Sequence, residues 1–202
     1  MNPIHIAATT IFLALAACSK APAEPPALGG DGWELDGDAS ELSYVTIKSG
    51  DIAEANSFES IAGSVSAEGA AQITIDLASV ETGVDIRNER MRDILFVVAD
   101  NPTATVTAEI DPAAFEALGV GDSAEQEVAG TLSLKGVEAP FLAQVTVTRI
   151  GADSVLAVSD APVMINAGRM ELSEGLAELQ SLASLPSITP VVPVTFALTF
   201  TR

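Results

Sequence analysis

The most reactive side chains in this sequence are few and lie close to the start of the chain. Cys18 carries the only thiol and His5 the only imidazole among 202 residues. Thiols act as nucleophiles or metal ligands, and imidazoles as bases or ligands near neutral pH. Cys18 follows an apolar run, residues 4–17, and precedes a segment rich in Pro and Gly, residues 19–32. Four roles for Cys18 are therefore open: core residue, nucleophile, metal ligand, or an attachment point outside the folded domain.

The apolar run is too short for a membrane-spanning helix, which needs about 20 residues, but it has the length of a secretory signal core. Leu15-Ala16-Ala17-Cys18 resembles the lipobox of bacterial lipoproteins. The resemblance implies that residues 1–17 are a signal peptide and that the Cys18 thiol carries a lipid. The alternative is an ordinary signal peptide with an incidental cysteine.

The residue after the cysteine bears on where the protein is sorted. Inner-membrane lipoproteins often carry Asp there, whereas this chain has Ser19. The resemblance thus implies secretion across the inner membrane and lipid anchoring, at the outer membrane facing the periplasm. Residues 18–32 are predicted to be a flexible tether, because Pro and Gly dominate them without periodicity.

Three arginines fall within six positions: Arg87, Arg90 and Arg92. A guanidinium forms strong charge-assisted hydrogen bonds with phosphate or carboxylate groups. One hypothesis is that Arg87 and Arg90 contact an anionic headgroup at the mouth of a pocket. The alternative is a set of ion pairs with acidic neighbours, which are Asp85, Glu89 and Asp93.

Composition excludes several classes of function. Nine basic residues stand against 28 acidic ones, a net charge of −19, so we expect no nucleic-acid partner. Beyond Cys18 there is no histidine or thiol, which excludes a Ser–His–Asp triad and a zinc site built on Cys or His. A carboxylate pair of the glycosidase type stays open. We predict a protein that is not an enzyme and that has no metal or other cofactor.

From Trp33 onward, apolar and polar residues alternate, which predicts strands with one buried and one exposed face. Gly, Pro and Asn turn signals separate these runs. The pattern predicts about seven to nine antiparallel strands that pack as a sandwich or close into a barrel. The alternating segments are residues 73–77, 103–110, 131–134, 145–148 and 194–201.

Helical patterns are short and few. Asp111 is predicted to cap the second helical segment, residues 112–118, and Ser173 the third, residues 173–185. Pro186 is predicted to end the third segment. The third has leucines spaced three apart on one face, so it could serve as a partner surface or as a barrel plug. The three segments are residues 87–98, 112–118 and 173–185.

Five short motifs occur in order between Trp33 and Phe200. They are Trp33-Glu34-Leu35-Asp36 followed by Ser40, Phe58 with Gly63-Ser64-Val65, Ser79-Val80-Glu81-Thr82-Gly83, Phe96 with Asn101-Pro102, and Gly130-Thr131-Leu132-Ser133-Leu134-Lys135-Gly136-Val137 with Pro140. In order and spacing they resemble the YceI-like family of secreted lipid-binding proteins. The resemblance implies an all-β fold over residues 33–202, an eight-stranded antiparallel lipocalin-like barrel with a few short helices. It also implies a polyisoprenoid or similar apolar lipid as partner.

Two departures from the family pattern indicate a divergent member. Where the family commonly has Arg-Asp-x-His-Leu, this chain has Arg87-Asn88-Glu89-Arg90-Met91. The family's later Asp-Phe-Gly motif is absent from the segment MINAGRMEL, residues 164–172.

An eight-stranded barrel can hold one slender ligand, and an aliphatic interior suits a prenyl or alkyl chain. We therefore predict a lipid-anchored envelope protein that binds an apolar chain for storage or transfer, attached to the membrane through acylated Cys18. The alternative is a structural or interaction module of the envelope with a filled barrel core. The inward-facing candidates for ligand contact are Ile73, Ile75, Val145, Val147, Phe196 and Leu198.

Overall fold

The computed structural model describes Leu28 and residues 30–202. Cys18, the predicted signal peptide and most of the predicted tether lie outside the described residues. None of the helices in the described part has the length and hydropathy needed to cross a bilayer. The described strands are β1 (Trp33–Lys48), β2 (Ile52–Phe58), β3 (Ile61–Val65), β4 (Ala70–Asp76), β5 (Val80–Glu81), β6 (Thr103–Glu109), β7 (Ser123–Leu134), β8 (Val137–Arg149), β9 (Ser154–Ser159), β10 (Val163–Asn166) and β11 (Val191–Thr201), and the α-helices are α1 (Asp85–Arg90) and α2 (Ser173–Leu182).

Eight strand positions close into a barrel. The order around the ring is β1–β3–β4–β6–β7–β8–β9–β11, and β11 pairs with β1 to close it, with every pair antiparallel. At one end β2 continues the position of β3 along β1, and β10 continues that of β9 along β11. The predicted eight-stranded antiparallel barrel is confirmed, and closure leaves the ring without a free edge.

The long strand β1 bends where it crosses β11, at an irregularity in register between Asp36 and Glu41. The Ser40 hydroxyl donates to the Asp36 carbonyl at 2.6 Å and accepts from the Thr199 N–H at 2.9 Å. These bonds replace ladder bonds lost at the irregularity, as at a β-bulge, which increases strand twist. Ser40 therefore helps a 16-residue strand curve around the barrel.

The first predicted helix starts two residues earlier than expected and is less regular. It begins at Asp85 as α1 and continues as a π-helical segment, Met91–Phe96. The second is a single 3₁₀ turn, Pro112–Ala114, and its predicted cap is confirmed, because the Asp111 carboxylate accepts from the Ala113 N–H at 3.1 Å.

The ends of α2 differ from the prediction. Ser173 is its first residue, Leu172 occupies the cap position, and no side chain caps the helix, so the predicted Ser173 cap is wrong. The helix ends at Leu182, before Pro186, and Ser184 then adopts a left-handed conformation with φ of 51°. Pro186 therefore does not end this helix; the left-handed turn before it does.

Candidate functional site

A cavity of about 590 Å³ lies inside the barrel, lined by side chains from all eight strand positions and from both α-helices. Its volume is typical of small-molecule sites, and its walls are mainly aliphatic. Every second side chain of a strand points inward, so the alternation in the sequence indicates which residues face the cavity. The wall contains all six predicted candidates: Ile73, Ile75, Val145, Val147, Phe196 and Leu198.

The open interior contradicts the filled barrel core of the alternative prediction. The carboxylate-pair hypothesis also finds no support in the cavity. Its only acidic lining residues in the described range are Glu54 and Asp31, which lie at opposite ends of the barrel. Within the same described range, no group of three or more His, Cys, Asp or Glu side chains could hold a metal ion.

One end of the cavity, which we call the cation end, is formed by Lys48, Glu54, Arg87 and Arg90. Lys48 ends β1, Glu54 lies in β2, and α1 carries the two arginines. Among the described lining residues three are basic and two acidic, although the whole chain has nine basic and 28 acidic residues. The cavity thus concentrates positive charge within a strongly acidic protein.

Only one of the two arginines is neutralised. The Arg87 guanidinium lies 2.5 Å from the Glu54 carboxylate and also donates to the Thr82 carbonyl. The same carboxylate contacts Lys48. The Arg90 side chain has no hydrogen bond or ion pair with any described residue, and it lines the cavity. The alternative of local ion pairs with Asp85, Glu89 and Asp93 is wrong, because the carboxylate that pairs with Arg87 comes from β2.

The two cations beside Glu54 affect its pKa. The hydrogen bond from Lys48 is the main cause that lowers the pKa of Glu54; partial burial acts against it, and the charge of Arg87 adds to the lowering. Glu54 is therefore ionised at neutral pH and shared by two cations. The excess positive charge falls on Arg90.

A buried polar cluster fixes α1 against β5. The Asn88 side-chain oxygen accepts from the Thr82 N–H at 2.9 Å and from the Thr82 hydroxyl at 2.6 Å. The Asn88 amide nitrogen donates to Glu81 at 2.8 Å. Asn88 and Thr82 are both buried, so these bonds hold the helix that carries Arg87 and Arg90.

Aromatic residues form the wall below the cation end. The rings of Tyr44 and Phe58 lie 5.5 Å apart, and those of Phe58 and Phe96 lie 5.9 Å apart. The Tyr44 hydroxyl donates to the Met91 sulfur at 3.7 Å, a weak acceptor. Burial raises the pKa of Tyr44, so the phenol stays protonated and keeps its donor. The prediction did not include Tyr44, since strand phase alone does not separate it from other core residues.

The opposite end, which we call the distal end, is formed by Leu28, Trp33, Phe115 and Gln126. Leu28 is buried and its N–H donates to the Glu116 carbonyl at 3.3 Å. Arg202 lies 4.9 Å from the Trp33 ring centre and donates to the Leu28 carbonyl at 3.1 Å. Leu28, which falls within the predicted tether, thus packs into this end of the barrel.

A glycine in β7 leaves room for an aromatic wall residue. Gly130 pairs with Phe141 of β8, and a β-carbon on Gly130 would lie 2.4 Å from the Phe141 ring. Such an approach is shorter than any van der Waals contact. Gly130 is needed here because the Phe141 ring lies across its backbone in the cavity wall.

A closed antiparallel barrel around an apolar cavity defines the class of lipocalin-like ligand-binding barrels. Residues 33–200 match the model of the YceI-like domain family, and the chain belongs to that family. No curated protein matches the chain significantly.

Solved structures carry the same barrel. A polyisoprenoid binding domain from Saccharophagus degradans, implicated in plant cell wall breakdown, is 39% identical, with a TM-score of 0.81 over 84% of this chain and 98% of that one. Burkholderia cenocepacia BcnA is 21% identical, with a TM-score of 0.63 over 82% of this chain and 98% of the other. The Campylobacter jejuni YceI protein is 15% identical, with a TM-score of 0.51 over 73% and 84% of the two chains. The last two support the fold alone.

Proposed function

We propose that this protein binds one long apolar chain, of the polyisoprenoid type, in the barrel cavity and stores or transfers it without covalent chemistry. The open aliphatic cavity is the observation that carries the proposal. Burial of a hydrocarbon chain removes apolar surface from water, and this needs no reactive side chain. The similarity to the polyisoprenoid binding domain, at 39% identity, supports the same class of ligand.

The bound ligand can be identified directly. The protein is purified without detergent, extracted with organic solvent, and the extract is quantified by mass spectrometry. We expect a prenyl or comparable long-chain lipid at close to one molecule per chain. Lipid-free preparations that also fail to bind prenols of several lengths would contradict the proposal.

The cation end is proposed to contact the polar head of the ligand, with Arg90 as the main contact and Arg87 as a second. Arg90 lines the cavity and has no partner among the described residues, whereas Arg87 is shared with Glu54. An unpaired guanidinium is suited to a carboxylate or phosphate. The ligand would then lie with its apolar chain toward the distal end.

Separate substitutions test the two arginines. We expect Arg90→Gln to weaken binding of hexadecanoic acid about tenfold with an unchanged melting temperature, because one charge-assisted hydrogen bond is lost. Arg87→Gln should also lower the melting temperature, since it releases Glu54 and Thr82. Arg92→Gln is the control, because Arg92 does not line the cavity. Equal losses in Arg90→Gln and Arg92→Gln would refute a role for Arg90.

The anchor is proposed separately. Residues 1–17 would direct export, acylated Cys18 would hold the protein at the outer membrane facing the periplasm, and several acyl chains would make the attachment stable. We expect labelled palmitate to be incorporated into the wild type but not into Cys18→Ser, which should be released in soluble form. Unlabelled wild-type protein in the soluble periplasmic fraction would exclude the anchor and leave the ligand proposal unaffected.

A further inference from the structure

A second polar side chain in the cavity wall, besides Arg90, lacks a partner among the described residues. Gln126 faces inward on β7, paired with Val145 of β8 and two residues before buried Val128. Its Oε1 is buried without a hydrogen bond, and no described residue bonds its amide nitrogen. The Asn56 amide, by contrast, donates to Thr46 and to the Glu54 carbonyl, and the one other buried side-chain polar atom without a hydrogen bond in the described residues, the Arg87 Nε, belongs to a guanidinium that is already paired with Glu54.

This arrangement is costly in the empty protein. A buried polar group without a partner destabilises a fold, so each such group in a native protein needs an explanation, for example a bound water, ion or ligand. An inward leucine at this position would avoid the cost and continue the aliphatic wall. Because only Oε1 is shielded, the amide nitrogen is the atom of Gln126 that is reachable from the cavity.

Gln126 also lies far from the cation end. β7 reaches that end at Leu134, which packs near Met91 and Leu95. Residues 126 and 134 are separated by about 26 Å along the strand, or roughly 20 Å along the barrel axis. A single extended chain whose head lies at Arg90 therefore brings its far end close to Gln126.

Building on the proposed function, we propose that Gln126 recognises an oxygen atom at the distal end of the bound chain. The ligand class is a long apolar chain with a hydroxyl or carbonyl group at the end remote from its anionic head. The Gln126 amide nitrogen donates to this oxygen. If the oxygen is a hydroxyl, rotation of the amide lets Oε1 accept from it instead. Gln126 is thus a specificity-determining residue for the end of the ligand that lies remote from its anionic head.

Two acids that differ in one atom test this role. Hexadecanoic acid and 16-hydroxyhexadecanoic acid are titrated against a fluorescent fatty-acid probe, in the wild type and in Gln126→Leu. We expect the wild type to bind the hydroxy acid at least as tightly as the plain acid. In Gln126→Leu the hydroxyl is buried without a partner, so the ratio of the two affinities should fall about tenfold.

Controls separate this role from a general effect on binding. Gln144→Leu makes the same change on the outer face of β8, where Gln144 donates to Glu127, and should leave the ratio unchanged. Gln126→Met supplies a second variant that preserves side-chain length. A ratio that is unchanged in both Gln126 variants would overturn the inference and leave Gln126 with a water partner only. If neither acid nor a prenol displaces the probe from the wild type, the proposed function itself fails.

Discussion

At the scale of single residues, Asn88 explains one departure from the family pattern. The position commonly holds an aspartate in the family, but here the side chain must accept two bonds from Thr82 and donate one to Glu81. An amide can do both, whereas a carboxylate only accepts. Asn88 is therefore matched to Glu81, and the pair holds α1 in place.

We expect Asn88→Asp to destabilise the protein by about 2 kcal/mol at pH 7, because two carboxylates would then face each other in a buried site. Like charges raise the pKa of the pair in the folded state, so the folded protein binds a proton more readily than the unfolded chain. Part of the loss should therefore be recovered as the pH falls toward 4.5. Urea unfolding at both pH values measures this.

The control for this change is Asn166→Asp. Asn166 uses only its oxygen, which accepts from the Gly168 N–H at 3.0 Å, so a carboxylate serves equally well there. A similar loss in both variants, or no recovery in acid, would show that Glu81 does not discriminate between the amide and the acid.

Glu54 gives the fold a pH dependence. Its pKa is lowered in the folded state, chiefly by Lys48, so its contribution to stability is present above the ordinary value of 4.5 and is lost as pH falls below it. We expect Glu54→Gln to melt at a lower temperature than the wild type at pH 7, with a difference that closes in acid. Thermal melts from pH 7 to pH 3 measure it.

The exposed Glu59, directly after β2, supplies the control, since Glu59→Gln removes a carboxylate without disturbing Lys48 or Arg87. A melting difference for Glu54→Gln that stays constant down to pH 3 would contradict the ion pair. The same variant should bind hexadecanoic acid more tightly at pH 7, because Lys48 and Arg87 lose their shared carboxylate.

At the scale of elements, α2 forms part of the cavity wall. Gly175 lets it approach the π-helical segment closely, since a β-carbon there would lie 3.0 Å from the Ile94 carbonyl oxygen. Leu176 and Leu179 line the cavity, whereas Leu182 is 47% exposed. The leucine spacing left two roles open for this helix, a partner surface or a barrel plug. The structure places Leu176 and Leu179 in the wall of the barrel cavity.

We expect Leu179→Ala to lower the free energy of unfolding by about 2 kcal/mol, because it removes packed methyl groups and enlarges the cavity. Leu182→Ala changes the same residue type on the same helix at an exposed position and should stay within about 0.5 kcal/mol. Urea denaturation compares the two. Equal effects would mean that α2 does not pack on the barrel through Leu179.

The pairing of β7 with β8 places the Phe141 ring against Gly130. We expect Gly130→Ala to destabilise by about 1–3 kcal/mol, because the new methyl group displaces the ring. Adding Phe141→Leu should recover part of that loss, and a double-mutant cycle measures the coupling. Additive losses would show that the ring does not need the glycine.

At the scale of the whole molecule, a buried cation joins the loops at the distal end. Arg149 is 1% exposed and donates to the carbonyls of Gly151, Leu118 and Ala152 at 3.0, 2.9 and 2.6 Å. The planar guanidinium reaches several acceptors at once, which an ammonium cannot do in the same geometry. Arg149 thereby connects the loop before β7 to the loop between β8 and β9.

We expect Arg149→Lys to cost about 2–3 kcal/mol in the free energy of unfolding, since at least one of these carbonyls loses its charged donor. Arg169→Lys is the control, because Arg169 is exposed. Urea unfolding that gives the same midpoint for both variants would show that the fork of donors at Arg149 is not required.

The distal end also relates the barrel to the proposed anchor. Residues 19–28 extend at most about 35 Å, so the buried Leu28 would keep the distal end within that distance of the membrane. The cation end lies at the opposite end of the barrel.

Much of the fold could be predicted because it depends on local patterns. Alternation identified the inward phase of β4, β8 and β11, and the Asp111 cap followed from residue type and position. The C-terminal end of α2 could not be predicted, because it depends on the left-handed turn at Ser184. The sequence already shows a polar residue, Gln126, at an inward position of β7. Its significance follows only from the cavity that the tertiary structure places beside it.

The sequence by itself determined the strand phases, the chemistry that is missing and the family, because these depend on residue type and spacing along the chain. The tertiary structure alone decided that β11 closes on β1, that Glu54 neutralises Arg87, and that Arg90 and Gln126 lie at opposite ends of one cavity without partners in the described part of the chain. These features depend on contacts between residues far apart in the chain. Such contacts form only when the ring of strands closes and the helices pack against it.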